Sequence, residues 1–454
     1  MKTSVQDSGG HNLSLSRRDT LRGLGAGALG LSGTALTRRA SSAHSLARAQ
    51  SEPTQITYWT FFASNEPDNP RAEAQGAILE AFMQANPDIE VIEEVVPWNQ
   101  LHTQLIQATA AGRGPDVSRQ VDAYVTMLAR AGAILPLDQF ISDWGDDQKN
   151  DLLYPWDDTT HDGMKYAFRQ SVRVANLNFY RTDMFTEAGY EVMPTSIEEF
   201  TTAAKAATRN EVSGFLMPFS KADNLNRFFQ TVPPLFWAEG TDLVDAETGK
   251  ALFQGEVGQR IFQWFQDLVY VHEISPSGEA TMDSEAANRM FAGGTLASQW
   301  HHSSQWAEWI ALARDGVLGT SFQPSFTGEI APASTEGGWT LCMSKGANEE
   351  AAWKLIDFFI SNEAELIDAE VGGELPTRKS VLENPLFEGE EFARQREWLD
   401  YLADHGHPAT TIKIEKRQEL VNILGDASQR IIAGRADVAS TLADAASQYD
   451  ALIG

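Results

Sequence analysis

The stretch LHTQLIQATAAGRGPDV, residues 101–117, decides the fold class of this chain. Its first part, 101–111, is predicted to be a helix, which ends at 112–115 because glycine and proline interrupt helices. Residues 116 and 117 then begin a short strand. A helix that passes into a strand across a tight turn indicates an α/β sheet.

Segments on both sides of this stretch continue the alternation of strands and helices. Residues 56–60 alternate as a strand does, and 72–85 have apolar residues at helical spacing. The alternation weakens at 141–165, and a strand is predicted again at 172–180. The prediction of an α/β fold is therefore unchanged. Further strands are predicted at 89–96 and 295–299, and further helices at 124–131, 196–208, 256–271, 284–292, 349–361 and 416–450.

The composition describes an acidic chain with enough apolar residues for a large core. It has 454 residues, of which 42% are hydrophobic, and a formal net charge of -28 at pH 7. A chain of this length exceeds one ordinary core and indicates two lobes. The negative charge argues against nucleic acid and anionic lipid as partners, because their phosphates would be repelled.

The N-terminal residues have the features of an export signal. Arg17 and Arg18 precede a weakly apolar, uncharged stretch, and residues 47–49, Ala-Arg-Ala, form a small-x-small cleavage pattern. We therefore predict a twin-arginine signal peptide at 1–49, although Thr20 stands where a bulky apolar residue is usual. The alternative is a disordered tail with a chance arginine pair.

Cysteine usage and hydropathy bear on the compartment. Cys342 is the single cysteine, so no intrachain disulfide is expected, and no cysteine near the predicted cleavage site is available to carry a lipid. An exported protein without a lipid would diffuse away unless an outer membrane retained it, so we predict a periplasmic location. After the signal, no apolar stretch reaches the roughly 18 residues that suggest a membrane span.

Several motifs occur in the order that one protein family shows. Residues 112–117 resemble Gly-x-x-Pro-Asp-Val, and 131–138, AGAILPLD, resemble Gly-x-Leu-x-Pro-Leu-Asp. Residues 178–185, NFYRTDMF, resemble Leu-Tyr-Tyr-Asn-Lys-Asp-Leu-Phe, with Arg181 in place of asparagine. The other similar segments are 188–200, 290–300, 336–359 and 376–378. In order and spacing, the chain resembles the extracellular solute-binding proteins of family 1, the group that contains maltose-binding protein.

The resemblance implies a two-lobe periplasmic-binding-protein type II fold with hinge-crossing strands. Lobe one would comprise 54–168 and 337–388, and lobe two would comprise 169–336 and 389–454. The family implies a monomer that captures a sugar or oligosaccharide in the interlobe cleft by hinge closure and delivers it to an ABC-type membrane permease. It implies no catalysis, no cofactor and no membrane insertion after signal removal.

A sugar needs two kinds of partner, which directs the choice of candidate residues. Its hydroxyl groups pair with planar polar side chains, and its C–H face packs on an aromatic ring. Open α/β sheets bind ligands beyond the carboxyl ends of their strands. The loop after the first predicted strand faces the cleft in the family, which makes Phe61, Ser64 and Glu66 candidates. Gln120, Asp122 and Tyr124 follow the third predicted strand, where the resemblance places the family's ligand loop.

The resemblance adds candidates at the hinge and in lobe two. Trp300 follows a short predicted strand, where the family commonly places an aromatic ring that stacks on sugar. His301 and His302 would face opposite ways on a strand, so no metal pair is expected there. The further candidates for ligand contact are Gln170, Arg173, Phe228, Gln230, Trp300, His301, Gly338, Trp339 and Arg378.

Structural roles compete with these assignments. The loop at 61–66 is also compatible with ordinary solvated structure, and Asp122 with a helix N-cap. Arg173 has many acids available as ion-pair partners. Phe228 and Trp300 both suit packing in a core.

Other classes of function remain open at this stage. A glycosidase needs two facing acids, but with 63 Asp and Glu any pair qualifies. The chain has no Gly-x-Ser-x-Gly, His-Glu-x-x-His or phosphate-loop motif. A binder of a charged solute, such as a polyamine, a peptide or a polyol phosphate, is the main alternative, although the predicted cleft loops offer few clustered Arg or Lys for a phosphate. A free-standing adhesin or a sensor partner would share the fold.

Overall fold

The computed structural model describes residues 52–335, 338–407, 414 and 416–454. The predicted signal peptide and Gly337 of the second hinge lie outside these residues. In the described part of the chain, no helix is long and apolar enough to cross a membrane.

Short strands alternate with helices, which confirms the prediction of an α/β fold. The strands are β1 (Thr54–Thr60), β2 (Ile89–Val95), β3 (Val117–Val121), β4 (Thr160–His161), β5 (Met164–Lys165), β6 (Ala167–Arg169), β7 (Leu177–Arg181), β8 (Ser298–His301), β9 (Leu318–Phe322), β10 (Ala333–Ser334), β11 (Trp339–Met343) and β12 (Gly406–His407). The helices before the second hinge are α1 (Pro70–Ala85), α2 (Leu101–Ala110), α3 (Val125–Arg130), α4 (Asp146–Asn150), α5 (Thr182–Glu187), α6 (Ile197–Ala207), α7 (Asn226–Thr231), α8 (Pro233–Trp237), α9 (Glu256–Tyr270), α10 (Ser284–Ala292), α11 (Gln305–Glu308) and α12 (Ile310–Arg314). The later helices are α13 (Glu349–Phe359), α14 (Asn362–Ile367), α15 (Lys379–Leu382), α16 (Ala393–His405), α17 (Arg417–Ile432) and α18 (Val438–Ile453).

The larger sheet of the described residues has five strands in the order β2-β1-β3-β11-β6. β1 pairs in parallel with β2 and β3, whereas β11 runs antiparallel to β3 and β6. The apolar side chains of this sheet pack with α1 and α13 in one core, which includes Ile56, Phe82, Phe168, Leu341 and Phe359. Because β11 comes from far along the chain, the polypeptide leaves this sheet and later returns to it.

A second sheet of the described residues has three antiparallel strands in the order β8-β7-β9. Helices α6, α9, α17 and α18 bury their apolar faces in a core of their own, which includes Phe200, Phe265, Leu424 and Leu442. Two sheets with separate cores make two lobes. The lobe boundaries given above stay a prediction.

Three predicted elements differ from the structure. The strand predicted at 172–180 begins only at Leu177, because the preceding residues cross between the sheets. The strand predicted at 295–299 is β8, which begins three residues later. The helix predicted at 416–450 is two helices, since Arg435 takes a positive φ of 52° and the Asp437 side chain caps α18 by accepting a hydrogen bond from Ser440 N at 2.9 Å.

Candidate functional site

A cavity lies beside the stretch where the chain first crosses between the two sheets. Its cavity volume is about 10 Å³, room for about one water molecule and far less than the roughly 300–1,000 Å³ of ligand pockets in general. Its walls combine aromatic rings, guanidinium groups, carboxyl groups and one amide. The lining residues are Phe61, Phe62, Arg71, Arg119, Gln170, Ser171, Trp339, Asp368 and Glu374.

Strand ends of the larger sheet bring the aromatic wall of this cavity together. Phe61 follows β1, and Trp339 is the first residue of β11, where it pairs with Val121 at the end of β3. Because parallel β1 and β3 end at the same edge, and antiparallel β11 starts there, these residues meet at one place. The sequence order of the strands therefore dictates where the site lies.

The aromatic wall consists of stacked rings. The centroids of Phe61 and Trp339 lie 4.1 Å apart with an interplanar angle of 18°. Phe62 packs edge-on against Phe61 at 4.5 Å. The Arg173 guanidinium lies 5.8 Å from the Trp339 ring centre. A ligand that stacks on Trp339 must therefore displace Phe61 or Arg173 from the indole.

Arg71 is fixed by the start of α1. The side-chain oxygen of Asn69 accepts hydrogen bonds from the backbone N–H groups of Arg71 at 3.1 Å and Ala72 at 3.3 Å, so the helix begins with a satisfied N-cap. The Arg71 guanidinium contacts the carboxylate of Glu308 and lies 3.9 Å from a carboxylate oxygen of Glu374. This arginine is thus neutralised on both sides.

Several contacts join segments that were predicted to lie in different lobes. The hydroxyl of Ser304 donates a hydrogen bond to Glu374 at 2.7 Å. The Asn99 side chain donates to the backbone carbonyl of Ala222 at 3.2 Å. With the Arg71 ion pair, these contacts describe a closed cleft, which explains the small volume of the cavity.

Arg119 differs from the other lining arginines in its surroundings. Its side chain projects from β3 and is 3% exposed. Its guanidinium carbon lies 5.0 Å from the Phe62 ring centre and 5.5 Å from that of Phe61. Among the described residues, no carboxylate forms an ion pair with it. This buried positive charge therefore rests on aromatic faces and has no ion pair, although it attracts the carboxyl group of Asp368.

Gln170 presents a second unsatisfied group. Its backbone N–H donates to the carbonyl of Trp339 at 2.9 Å, which ties the crossing segment to β11. Its side-chain oxygen is buried and accepts no hydrogen bond within the part of the chain that the structure describes. A buried acceptor without a donor is costly, so a donor from a bound ligand would stabilise it.

Burial shifts the pKa values of two charged groups near the cavity. Desolvation, reinforced by repulsion from Glu374, raises the pKa of Asp368 to about 7, although Arg119 and Arg71 oppose the shift. Desolvation lowers the pKa of Arg173 to about 10, and Glu374 partly offsets this. Arg173 is therefore protonated at neutral pH, whereas Asp368 is only partly ionised.

A buried network occupies the hinge next to the cavity. Arg169 lies 2.9 Å from Asp122 and 2.5 Å from Asp158, and it donates to the carbonyl of Thr335 at 3.0 Å. The Asp122 carboxylate also accepts from the backbone N–H of Gly338 at 3.0 Å. The structure gives Asp122 and Gly338 this connecting role and does not bring them to the cavity.

Two aromatic candidates lie in the core of the second sheet. Trp300 is 0% exposed, and its ring lies 4.9 Å from Phe215 and 5.6 Å from Trp264. Phe228 is also 0% exposed and packs against Phe262 at 6.0 Å. The expectation that Trp300 and Phe228 contact ligand is therefore corrected. Strand alternation turns the Trp300 ring toward the helices that cover the sheet.

Two other lobe-two candidates, Gln230 and His301, both contact Arg227 and lie outside the set of lining residues. The Arg227 guanidinium donates to the side-chain oxygen of Gln230 at 3.3 Å and contacts the ring nitrogen Nε2 of His301. Burial, together with the charges of Arg227, Arg173 and Arg71, holds the pKa of His301 well below its usual value. His301 is thus neutral. Because the charges of Arg71, which lines the cavity, and Arg173 act on it, this cluster adjoins the cleft.

Three candidates from the loops after β1 and β3 lie away from the cavity lining. Ser64 donates a hydrogen bond to the carboxylate of Glu93, and Glu66 is exposed to solvent. The Tyr124 ring stacks on His102 with centroids 3.8 Å apart. Their ligand contact stays a prediction that would require rearrangement.

Gln120 and Arg378 also lie elsewhere. The Gln120 amide is buried in β3 and donates to the hydroxyl of Ser118 at 2.5 Å. The Arg378 guanidinium lies 3.8 Å from the Asp151 carboxylate and 5.5 Å from the ring centre of Trp144. Phe61, Gln170 and Trp339 are therefore the candidates that the structure gathers at the cavity, with Arg173 beside them.

Sequence reasoning missed the charged part of the lining. Arg119 neighbours the chosen Gln120, but adjacent strand residues face opposite sides, and the sequence does not show which side faces the cleft. Asp368 and Glu374 lie after α14 in a segment without any motif. The missed lining residues are Phe62, Arg71, Arg119, Ser171, Asp368 and Glu374.

Comparison with known families identifies the class of protein. The chain matches the bacterial extracellular solute-binding proteins over residues 66–366, and it belongs to that family. The resemblance seen in the sequence is therefore confirmed.

Individual relatives are distant. The chain is 25% identical over 236 residues to an arabinooligosaccharide-binding protein of Halalkalibacterium halodurans. The alignment covers 50% of this chain and 49% of the relative, so the chain spans about half of the relative's length. The GacH receptor of Streptomyces glaucescens, solved unliganded and with acarbose, is similar with a TM-score of 0.74 and 23% identity over 89% of this chain and 99% of that one. An ABC transporter solute-binding protein of Thermotoga lettingae bound with α-D-tagatose has a TM-score of 0.75 and 21% identity over 88% of this chain and 100% of that one. These similarities confirm the two-lobe binding-protein fold.

Proposed function

We propose that this chain is the substrate-binding component of an ABC importer, which captures a sugar or oligosaccharide in the interlobe cleft and delivers it to a membrane permease. The observation that carries the proposal is the pairing of the Phe61 and Trp339 rings with buried hydrogen-bonding groups of Gln170 and the neighbouring arginines. Rings match the C–H face of a sugar, and polar groups match its hydroxyls. A relative named for arabinooligosaccharides and similar structures with acarbose and tagatose support a sugar ligand.

The cavity chemistry bears on the alternative ligands. Arg71 and Arg173 are paired with carboxylates, but Arg119 lines the cavity without an ion pair among the described residues, so a cationic polyamine would meet repulsion there. We further propose that the protein acts without catalysis, as a monomer in the periplasm, after export through the twin-arginine route. Export is tested by fractionating cells that express the full chain with Arg17 and Arg18 both replaced by lysine, which should remain in the cytoplasm.

Ligand binding is tested by a melting-temperature screen, followed by titration calorimetry. Arabinooligosaccharides, maltooligosaccharides, monosaccharides, sugar acids, sugar phosphates, polyamines and peptides form the panel. A ligand at about 100 times its Kd stabilises the folded state by about 2.7 kcal/mol, so a cognate sugar should raise the melting temperature clearly. Stabilisation by a polyamine or a peptide, with no response to any sugar, would contradict the proposal.

A further inference from the structure

The charged groups around the cavity are unequally paired. Its described lining contains the guanidinium groups of Arg71 and Arg119 and the carboxyl groups of Asp368 and Glu374, and Arg173 stands beside them. Glu374 lies 3.9 Å from Arg71 and 3.8 Å from Arg173, so it serves both. Asp368 is only partly ionised near neutral pH, because burial raises its pKa. Arg71 also pairs with Glu308, so Arg119 is the lining arginine without an ion pair among the described residues, and the acid that acts on it, Asp368, carries only part of a charge.

Arg119 is buried at a cost to the stability of the fold. It is 3% exposed, it lines the cavity, and within the described residues no acid forms an ion pair with it. A buried charge without a counterion destabilises the fold, and aromatic faces compensate only part of the cost. A buried group whose cost is only partly compensated is expected at functional sites.

Gln170 lies in the same lining and needs a hydrogen-bond donor, whereas Arg119 needs an acceptor. The buried side-chain oxygen of Gln170 lacks a donor among the described residues, whereas the buried Nε atom of Arg119 lacks an acceptor. A ligand that satisfies both must carry an anionic acceptor and a hydroxyl donor. The stacked rings of Phe61 and Trp339 add a surface for its carbon skeleton.

We infer that the ligand is an acidic sugar, a uronic acid or an oligosaccharide that contains one, whose carboxylate is bound by Arg119 and whose hydroxyl donates to Gln170. This inference rests on the proposed sugar-binding function and specifies its substrate class. A guanidinium matches a planar carboxylate through two parallel hydrogen bonds. Asp368 and Glu374 favour a monoanionic carboxylate over a phosphate dianion, because a second negative charge would be repelled.

The test compares each acid with the neutral sugar of the same stereochemistry. Glucuronate and glucose, galacturonate and galactose, and short oligogalacturonates are titrated into the wild type, Arg119→Gln and Arg113→Gln. Arg113 is exposed on the same lobe, so Arg113→Gln makes the same change in net charge away from the cavity. An acid should bind the wild type at least about 30-fold more tightly than its neutral partner, and Arg119→Gln should lose that preference, since removing one member of a buried charge pair has effects of this size.

A second readout separates binding from folding. Without ligand, Arg119→Gln should melt at or above the wild-type temperature, because the substitution removes an uncompensated buried charge. A variant that is at least as stable but binds the acid weakly cannot owe its defect to unfolding. Arg113→Gln should leave both quantities unchanged.

The outcomes distinguish this inference from the proposed function. Equal affinity for acid and neutral sugar, or an acid preference that survives Arg119→Gln, overturns the inference and leaves a sugar-binding protein. Tighter binding of a sugar phosphate than of the matching acid also overturns it. If no sugar binds, charged or neutral, both the inference and the proposed function fall.

Discussion

Glu279 shows how one buried side chain couples stability to pH. It is 0% exposed, and its carboxylate accepts a hydrogen bond from the backbone N–H of Met217 at 2.8 Å. Desolvation nevertheless dominates and raises its pKa to about 8 from an ordinary 4.5. Between these two values the folded state holds a proton that the unfolded state has released, so stability falls as pH rises and levels off above about pH 8.

Replacing Glu279 by Gln should remove this contribution. Glu279→Gln keeps an oxygen acceptor for Met217 but cannot ionise, so the free energy of unfolding should fall less steeply with pH than in the wild type. The difference in slope should approach about 1.4 kcal/mol per pH unit between about pH 5 and 8. Urea denaturation across this range measures it. Parallel pH profiles of the two proteins would show that Glu279 is already ionised in the fold.

Trp300 and Trp339 have different roles, because Trp300 packs in the core and Trp339 lines the cavity. Trp300→Ala should lower the free energy of unfolding by about 3–5 kcal/mol, because it leaves a cavity in the core. Trp339 is 9% exposed and lines the cleft, so Trp339→Ala should mainly weaken binding of the cognate sugar. Denaturation and calorimetry of both variants check the pair. Loss of sugar affinity in folded Trp300→Ala, with affinity intact in Trp339→Ala, would reverse the assignment.

At the scale of elements, the second crossing between the sheets depends on a glycine. A Cβ atom at Gly338 would lie 2.4 Å from the Nη1 atom of Arg169 and 3.3 Å from Asp122. Arg169 holds Asp122, Asp158 and the carbonyl of Thr335, so displacing it disturbs the whole hinge network. A side chain larger than hydrogen does not fit here without such a displacement.

Gly338→Ala should therefore destabilise the protein by about 1–3 kcal/mol, as overpacking of buried sites does. Gly278→Ala serves as the control, since a Cβ atom there meets nothing within 4 Å and its φ is -82°. Thermal and urea denaturation of both variants measure the effect. Equal stability of the two variants would mean that the hinge tolerates a methyl group at residue 338.

Elements were easier to predict than the faces they present. Periodicity and capping signals located α1, α6 and α9 within two residues of their ends, because these features are local. For Trp300, the alternation of side chains along β8 shows that the strand has two faces, but it does not show which of them the helices cover. The break between α17 and α18 was missed because apolar residues continue at helical spacing on both sides of it. The ion pairs around Glu374 join residues far apart in sequence, where no local pattern exists.

At the scale of the whole molecule, the structure is a closed form without enough room for an oligosaccharide. The ion pair between Arg71 and Glu308 and the hydrogen bond from Ser304 to Glu374 hold segments on the two sides of the cleft together. A ligand can enter only when these contacts open, and closure around it must restore or replace them. Binding affinity therefore depends on the population of the open and closed states as well as on contacts to the ligand.

Weakening one of the contacts across the cleft should increase the population of the open state. Glu308→Gln removes the charge that pairs with Arg71, so the ligand-free protein should show a larger radius of gyration in X-ray scattering, while the protein saturated with its sugar should match the wild type. Because a partly exposed ion pair contributes about 1 kcal/mol or less, sugar affinity should fall no more than about fivefold. Glu350→Gln is the control, since Glu350 pairs with Lys354 within one helix at 3.4 Å and makes the same change in charge. An unchanged scattering profile for Glu308→Gln would show that closure is held by the remaining contacts and not by this ion pair.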